Sequence, residues 1–143
     1  MDDIDPALDE RYRATTYRVF AVAGPPIDLR VGERSAELDL LLTKHDAPTW
    51  AFVSACNPHS RPLPAAENDA RQAELLRTVQ AFGWRYLQGV GIPARADWHP
   101  EASVLVLGVT TEEAVGLAKR FEQNAILAGR RGAAAALVYC AQG

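Results

Sequence analysis

Two runs of the 143-residue chain, "TWAFVSAC" (Thr49–Cys56) and "SVLVLGV" (Ser103–Val109), are apolar at nearly every position instead of every second one. Side chains alternate between the faces of a strand, so a strand that is apolar throughout has both faces covered. Both runs therefore belong at the centre of a sheet, and the rest of the chain has to cover it.

The remaining pattern supplies the cover. "TTYRVFAV" (Thr15–Val22) and "IDLRV" (Ile27–Val31) flank a "GPP" turn and read as a hairpin. "RSAELDLLLTKH" spaces Leu38, Leu41 and Leu42 as a short helix does. A longer helix is expected from Pro64, at its first position, to a stop at Gly83. "RYLQGVGI" is a further strand, and Thr110-x-x-Glu113 is a capping-box start for a third helix through Phe121. The tail gives two short strands around a glycine-flanked Arg130-Arg131 turn. The order β-β-α-β-α-β-β-α-β-β defines an α+β fold, a mixed or antiparallel sheet with about three helices packed on it. Residues 1–14 read as an acidic N-terminal segment and 15–143 as a single globular domain.

Composition narrows the class. The chain is 48% hydrophobic and 23% charged, ordinary for a globular domain of this length. Its formal net charge is −3 and its lysines and arginines are scattered, so extended nucleic acid is not the expected partner. No apolar run approaches the ~20 residues that span a bilayer, and the acidic start resembles no targeting peptide. The expected location is the cytoplasm. Cys56 and Cys140 form no CxxC, and no disulfide is expected.

Polar residues fall where hydrocarbon belongs. At 100° per residue, Leu75, Val79 and Phe82 mark the buried stripe of the long helix. Asn68 falls inside that stripe, Arg71 on its flank and Glu67 nearly at right angles to it. Left unpaired in a core, such groups cost about 1–3 kcal/mol each. Asn57 ends the first apolar strand, and Pro58 biases it toward extended backbone. Only a few residues separate it from the Asn68 helix, and a strand's carboxyl end beside a helix N-terminus favours ligands. If the Ser103 strand runs antiparallel to the Thr49 strand, Glu101 comes to face Asn57 and Ser60. Gln123-Asn124 reads as the turn that ends the third helix.

Together these pieces resemble a bacterial family known only as the domain of unknown function number 3293. That family's pattern is T-A-x-N-P-x-S, E-N-x-x-R, P-E-x-S and F-G-Q-N-A, in order. This chain has Ser54-Ala55-Cys56-Asn57-Pro58-His59-Ser60, then Glu67-Asn68-Asp69-Ala70-Arg71, then Pro100-Glu101-Ala102-Ser103, then Phe121-Glu122-Gln123-Asn124-Ala125. It departs at Ser54 for threonine and at Glu122 for glycine. The resemblance implies that Asn57, Asn68, Arg71, Glu101, Gln123 and Asn124 form one constellation, and it implies no reaction, substrate or cofactor.

Three functional readings follow. The first is a pocket for a small polar or anionic molecule, with Asn57, Ser60, Glu67, Asn68, Gln123 and Asn124 as binding groups and Arg71 as the anion contact. The second is a hydrolase or transferase using Glu101 as general acid/base in the same pocket. The third is a protein-interaction module in which the polar set is structural. Plainer roles compete at each residue: an Asx-turn for Asn57, a buried network for Asn68 and Arg71 that binds loop carbonyls and holds the Asn57 loop, a left-handed helix end for Asn124, and a Glu101–Arg71 ion pair. Cys56, His59, His99 and Cys140 come from separate elements, which argues against zinc, and nothing orients Cys56 and a histidine as a nucleophilic pair. "GVG" at Gly89–Gly91 has neither dinucleotide nor P-loop spacing. No metal and no cofactor are expected.

Overall fold

The computed structural model describes residues 5–95 and 99–140. Among these lie seven strands and four α-helices, β1 (Thr16–Val19), β2 (Ile27–Leu29), β3 (Thr49–Ser54), β4 (Arg85–Ile92), β5 (Glu101–Leu107), β6 (Ala125–Arg130), β7 (Ala136–Tyr139), and α1 (Pro6–Ala14), α2 (Ala36–Lys44), α3 (Ala65–Ala81), α4 (Thr111–Arg120). The sheet order is β2-β1-β4-β5-β3-β6-β7, with antiparallel pairing throughout. β3 and β5, the two-sided apolar runs, are neighbours at the centre, with Phe52 opposite Leu105 and Ser54 opposite Ser103.

Alternation along the central strands separates two cores. Ala51, Val53, Val104 and Val106 pack with Leu75 and Val79 of α3 and with Leu117 and Ala118 of α4. Trp50, Phe52, Leu105 and Leu107 face the other way and pack with Tyr17, Leu29 and, from α2, Leu38 and Leu42. The sheet curls around this second core until its ends meet. Gly32 N–H donates to Ala135 O (2.8 Å) and Ala135 N–H to Glu33 O (3.0 Å).

Curling needs space where strands cross closely, and Gly89 supplies it. A Cβ there would stand 2.6 Å from Arg18 O and 2.7 Å from the Phe52 ring. Two residues on, a Cβ at Gly91 would have no neighbour nearer than 3.9 Å.

The structure adds a helix to the expected three. The sequence reading left residues 1–14 outside the domain; residues 1–4 lie outside the described residues, and 6–14 form α1. Asp5 caps it, its side chain accepting from Ala7 N–H, with Pro6 in the first turn. No α1 residue is buried, so apolar periodicity carried no signal. The helix is held by the Tyr139 hydroxyl on Asp9 (2.5 Å), the Tyr17 hydroxyl on Tyr12 O (2.9 Å), and an edge-on Tyr12–Tyr139 contact.

Two local expectations change. Phe82, placed on the buried stripe of α3, is 56% exposed and stacks on Trp84. The projection ran past the helix end: α3 stops at Ala81, and Gly83 (φ +74°) turns the chain away with Gly83 N–H on Gln80 O and Trp84 N–H on Val79 O. Pro64 is the N-cap rather than the first helical residue. The Thr110–Glu113 capping box forms on α4 as expected. Among the described residues no helix is long and apolar enough to cross a membrane.

A Gly89→Ala variant is expected to lose about 1–3 kcal/mol of stability, because both close neighbours are held by the sheet. Gly91→Ala is expected to stay near wild type. Urea unfolding midpoints of the two variants check the contrast.

Candidate functional site

β3 stops pairing at Ser54, and the next carbonyls need donors from elsewhere. Side chains provide them. Arg71 of α3 donates from Nε to Ala55 O and from Nη2 to Phe121 O, both at 2.5 Å. Gln123 Nε2 donates to Cys56 O (3.0 Å) and Phe121 O (3.1 Å). The end of β3 is thus tied to the end of α4 by one guanidinium and one amide.

Asn57 then reverses the chain. Its backbone is left-handed (φ 50°, ψ 66°) instead of the extended form that Pro58 led us to expect. His59 (φ 52°) and Ser60 (φ 60°) are left-handed as well. Non-glycine residues in this region carry about 1–2 kcal/mol of strain each, and the hydrogen bonds of the turn hold it. Asn57 N–H donates to Asn68 Oδ1 (2.9 Å), and Asn68 Nδ2 donates back to Asn57 Oδ1 (2.8 Å). Asn57 Oδ1 also accepts from Leu63 N–H (2.9 Å), and Asn57 Nδ2 donates to Glu101 Oε2 (2.7 Å). The antiparallel β3–β5 register brings Glu101 within reach, as the sequence argument required.

Another part of the rim comes from the turn after α4. Asn124 Nδ2 donates to Ser60 Oγ (2.8 Å), and the Tyr12 phenol lies beside both groups. The left-handed residue that ends α4 is Glu122 (φ 60°), not Asn124. This is the position at which the resembling pattern has glycine, the residue that enters this region freely. Glu122 keeps the geometry and adds contacts of 3.6 Å to both Arg71 and His59.

These elements enclose a cavity of about 770 Å³. Its apolar wall includes Tyr17, Phe52, Leu127 and Leu137, with Leu8 and Tyr12 contributed by α1. Of the residues singled out in the sequence, Asn57, Ser60, Asn68, Glu101, Gln123 and Asn124 line it; Glu67 and Arg71 do not. Glu67 is exposed on α3. Arg71 pairs with carbonyls and Glu122 instead of Glu101. Tyr12, Tyr17 and Phe52 were missed in the sequence, because the curl and α1 bring them to the cavity and neither is written as a motif; Ser54, also in the lining, stood in the quoted motif without a site role.

Burial sets the electrostatics. It pushes the Glu101 carboxyl above its ordinary value, while the Asn57 hydrogen bond and, more weakly, the Arg11 charge act in the opposite direction. Burial also raises the Cys56 thiol, whose Sγ rests on Ala102 O at 3.5 Å. A raised thiol is a poor nucleophile at neutral pH. Among the described residues, no three of His, Cys, Asp or Glu stand close enough to hold a metal ion.

Fold and site define a single α+β domain built on a curled antiparallel sheet, with a cavity roofed by its N-terminal helix. The model of a family of proteins of unknown function, DUF3293, matches residues 53–126, just over half of the chain. The chain belongs to that family. The matched segment spans the Asn57 turn, Asn68, Arg71, Glu101 and the Gln123-Asn124 turn. No curated protein and no solved structure matches it.

The raised Glu101 carboxyl has a consequence for stability. Its contribution is fully present below the unfolded pKa and is lost as pH rises through the folded one. Glu101→Gln is therefore expected to melt higher than wild type at neutral pH, with the difference closing as the pH falls below the unfolded glutamate value. Thermal melts of both proteins across an acidic-to-neutral series check this.

Proposed function

We propose that this domain binds a small molecule in the cavity beneath α1, with an apolar body against Tyr17, Phe52, Leu127 and Leu137 and a polar end at Glu101. The observation that carries the reading is Glu101 itself. A carboxylate that burial penalises weakens the fold, and one that also faces a cavity is a functional-site candidate on physical grounds. The cavity volume is within the ordinary range for small-molecule sites, about 300–1,000 Å³.

The hydrogen bonds divide the polar set into two roles. Asn57, Asn68 and Gln123 use their amides on one another and on backbone, so they build the wall. Glu101 is left to meet the ligand, while Ser60 and Asn124 bond one another beside the Tyr12 phenol. Arg71, expected as an anion contact, clamps the end of β3 in this reading, and an anionic ligand loses its main support. A second reading is favoured by the raised carboxyl: a glutamate titrating closer to neutrality suits a general acid/base. In that case Glu101→Gln abolishes turnover while ligand still binds.

Gly91 offers a test that leaves every polar partner in place. Its side-chain position opens into the cavity, with room for a Cβ, so Gly91→Leu fills the space. Small amphipathic compounds screened by thermal shift are expected to include one that stabilises wild type by about 2.7 kcal/mol at ~100 times its dissociation constant. That shift should vanish in a folded Gly91→Leu protein. A shift surviving in Gly91→Leu places the ligand elsewhere and sinks the proposal.

A further inference from the structure

We infer that the ligand of this cavity presents a positively charged nitrogen, an alkylammonium or arylalkylammonium group, to Glu101. This rests on the cavity being the binding site and adds the ligand's chemical class.

The argument is an inventory of donors around the carboxylate. An ionised carboxylate has about four lone-pair directions to fill. Among the described residues its hydrogen bond comes from Asn57 Nδ2. The neighbouring donors are already committed: Asn68 Nδ2 to Asn57 Oδ1 and Leu63 O, and Ser103 Oγ to the backbone carbonyl of Glu101. The charged groups lining the cavity are Glu101, Asp69 and Arg11, with His99 also present. Among the described residues the lining thus carries two carboxylates and one guanidinium. Arg11 and Asp69 are exposed, whereas Glu101 is part-buried, so water screens the first two more than the last.

An anionic ligand placed here would meet a desolvated like charge. A neutral donor would satisfy geometry and leave the charge balanced only by the exposed Arg11. A cation satisfies geometry and balances the charge, through charge-assisted hydrogen bonds.

Three probes that share one skeleton and differ in charge test this: phenylbutylamine, phenylbutanol and phenylbutanoate, titrated calorimetrically at neutral pH into wild type, Glu101→Gln and Gly91→Leu. The expected result is wild-type binding of the amine about tenfold tighter than the alcohol, with the carboxylate weakest. Glu101→Gln should lose that preference while still binding the alcohol, and Gly91→Leu should bind none. If the alcohol or carboxylate matches the amine in wild type and Gly91→Leu abolishes binding, the cationic class is wrong and the cavity reading stands. If no probe binds wild type, or Gly91→Leu binds them all unchanged, both fall.

Discussion

The amide of Asn57 is the contact on which the arrangement of the site depends. One side chain accepts from Leu63 N–H and Asn68, and donates to Glu101. Its own backbone N–H goes to Asn68. Asn57 thereby fixes a left-handed turn, the start of α3 and the orientation of a carboxylate 44 residues away in sequence. Each bond is worth about 1 kcal/mol net. Breaking the set would strand several part-buried groups at once, and that penalty is the larger one.

Around this contact the domain solves a problem posed by its own sheet. β3 is central, yet it ends beneath the helices where no further strand supplies partners for Ala55 and Cys56. Arg71 and Gln123 take those carbonyls and close the backbone, and Gln123 lines the cavity as well. Under the proposed function, the structural and functional readings of the polar cluster are therefore compatible. One subset keeps the strand end rigid, and rigidity there is what allows Glu101, Tyr12, Ser60 and Asn124 to face one space from different elements.

Much of this was legible in the residues. The two-sided apolar runs placed β3 and β5 at the centre, and their antiparallel pairing placed Glu101 beside Asn57. The capping box on α4 and the glycine stop at Gly83 carried their own local chemistry. What could not be read came from long-range geometry. Helix α1 has no fully buried residue and is held in part by Tyr139, 130 residues from Asp9, although Asp5-Pro6 was a start signal in plain sight. The direction of Arg71 depended on which carbonyls were left without partners, which no helical projection reports. Asn57 escaped the expected extended backbone because its side-chain bonds outweigh the local bias from Pro58. At Glu122, the mismatch with the family glycine marked the left-handed residue, but only the structure gave its φ.

The central claim is that Glu101 is a partly desolvated carboxylate, held by Asn57 and open to a ligand in the cavity. Its side-chain carboxyl can be followed directly by carbon-13 NMR through an acid–base titration, with and without saturating phenylbutylamine. The account predicts a midpoint above the ordinary glutamate value in the free protein, falling when the amine occupies the cavity. An ordinary midpoint that the amine leaves unmoved would contradict it.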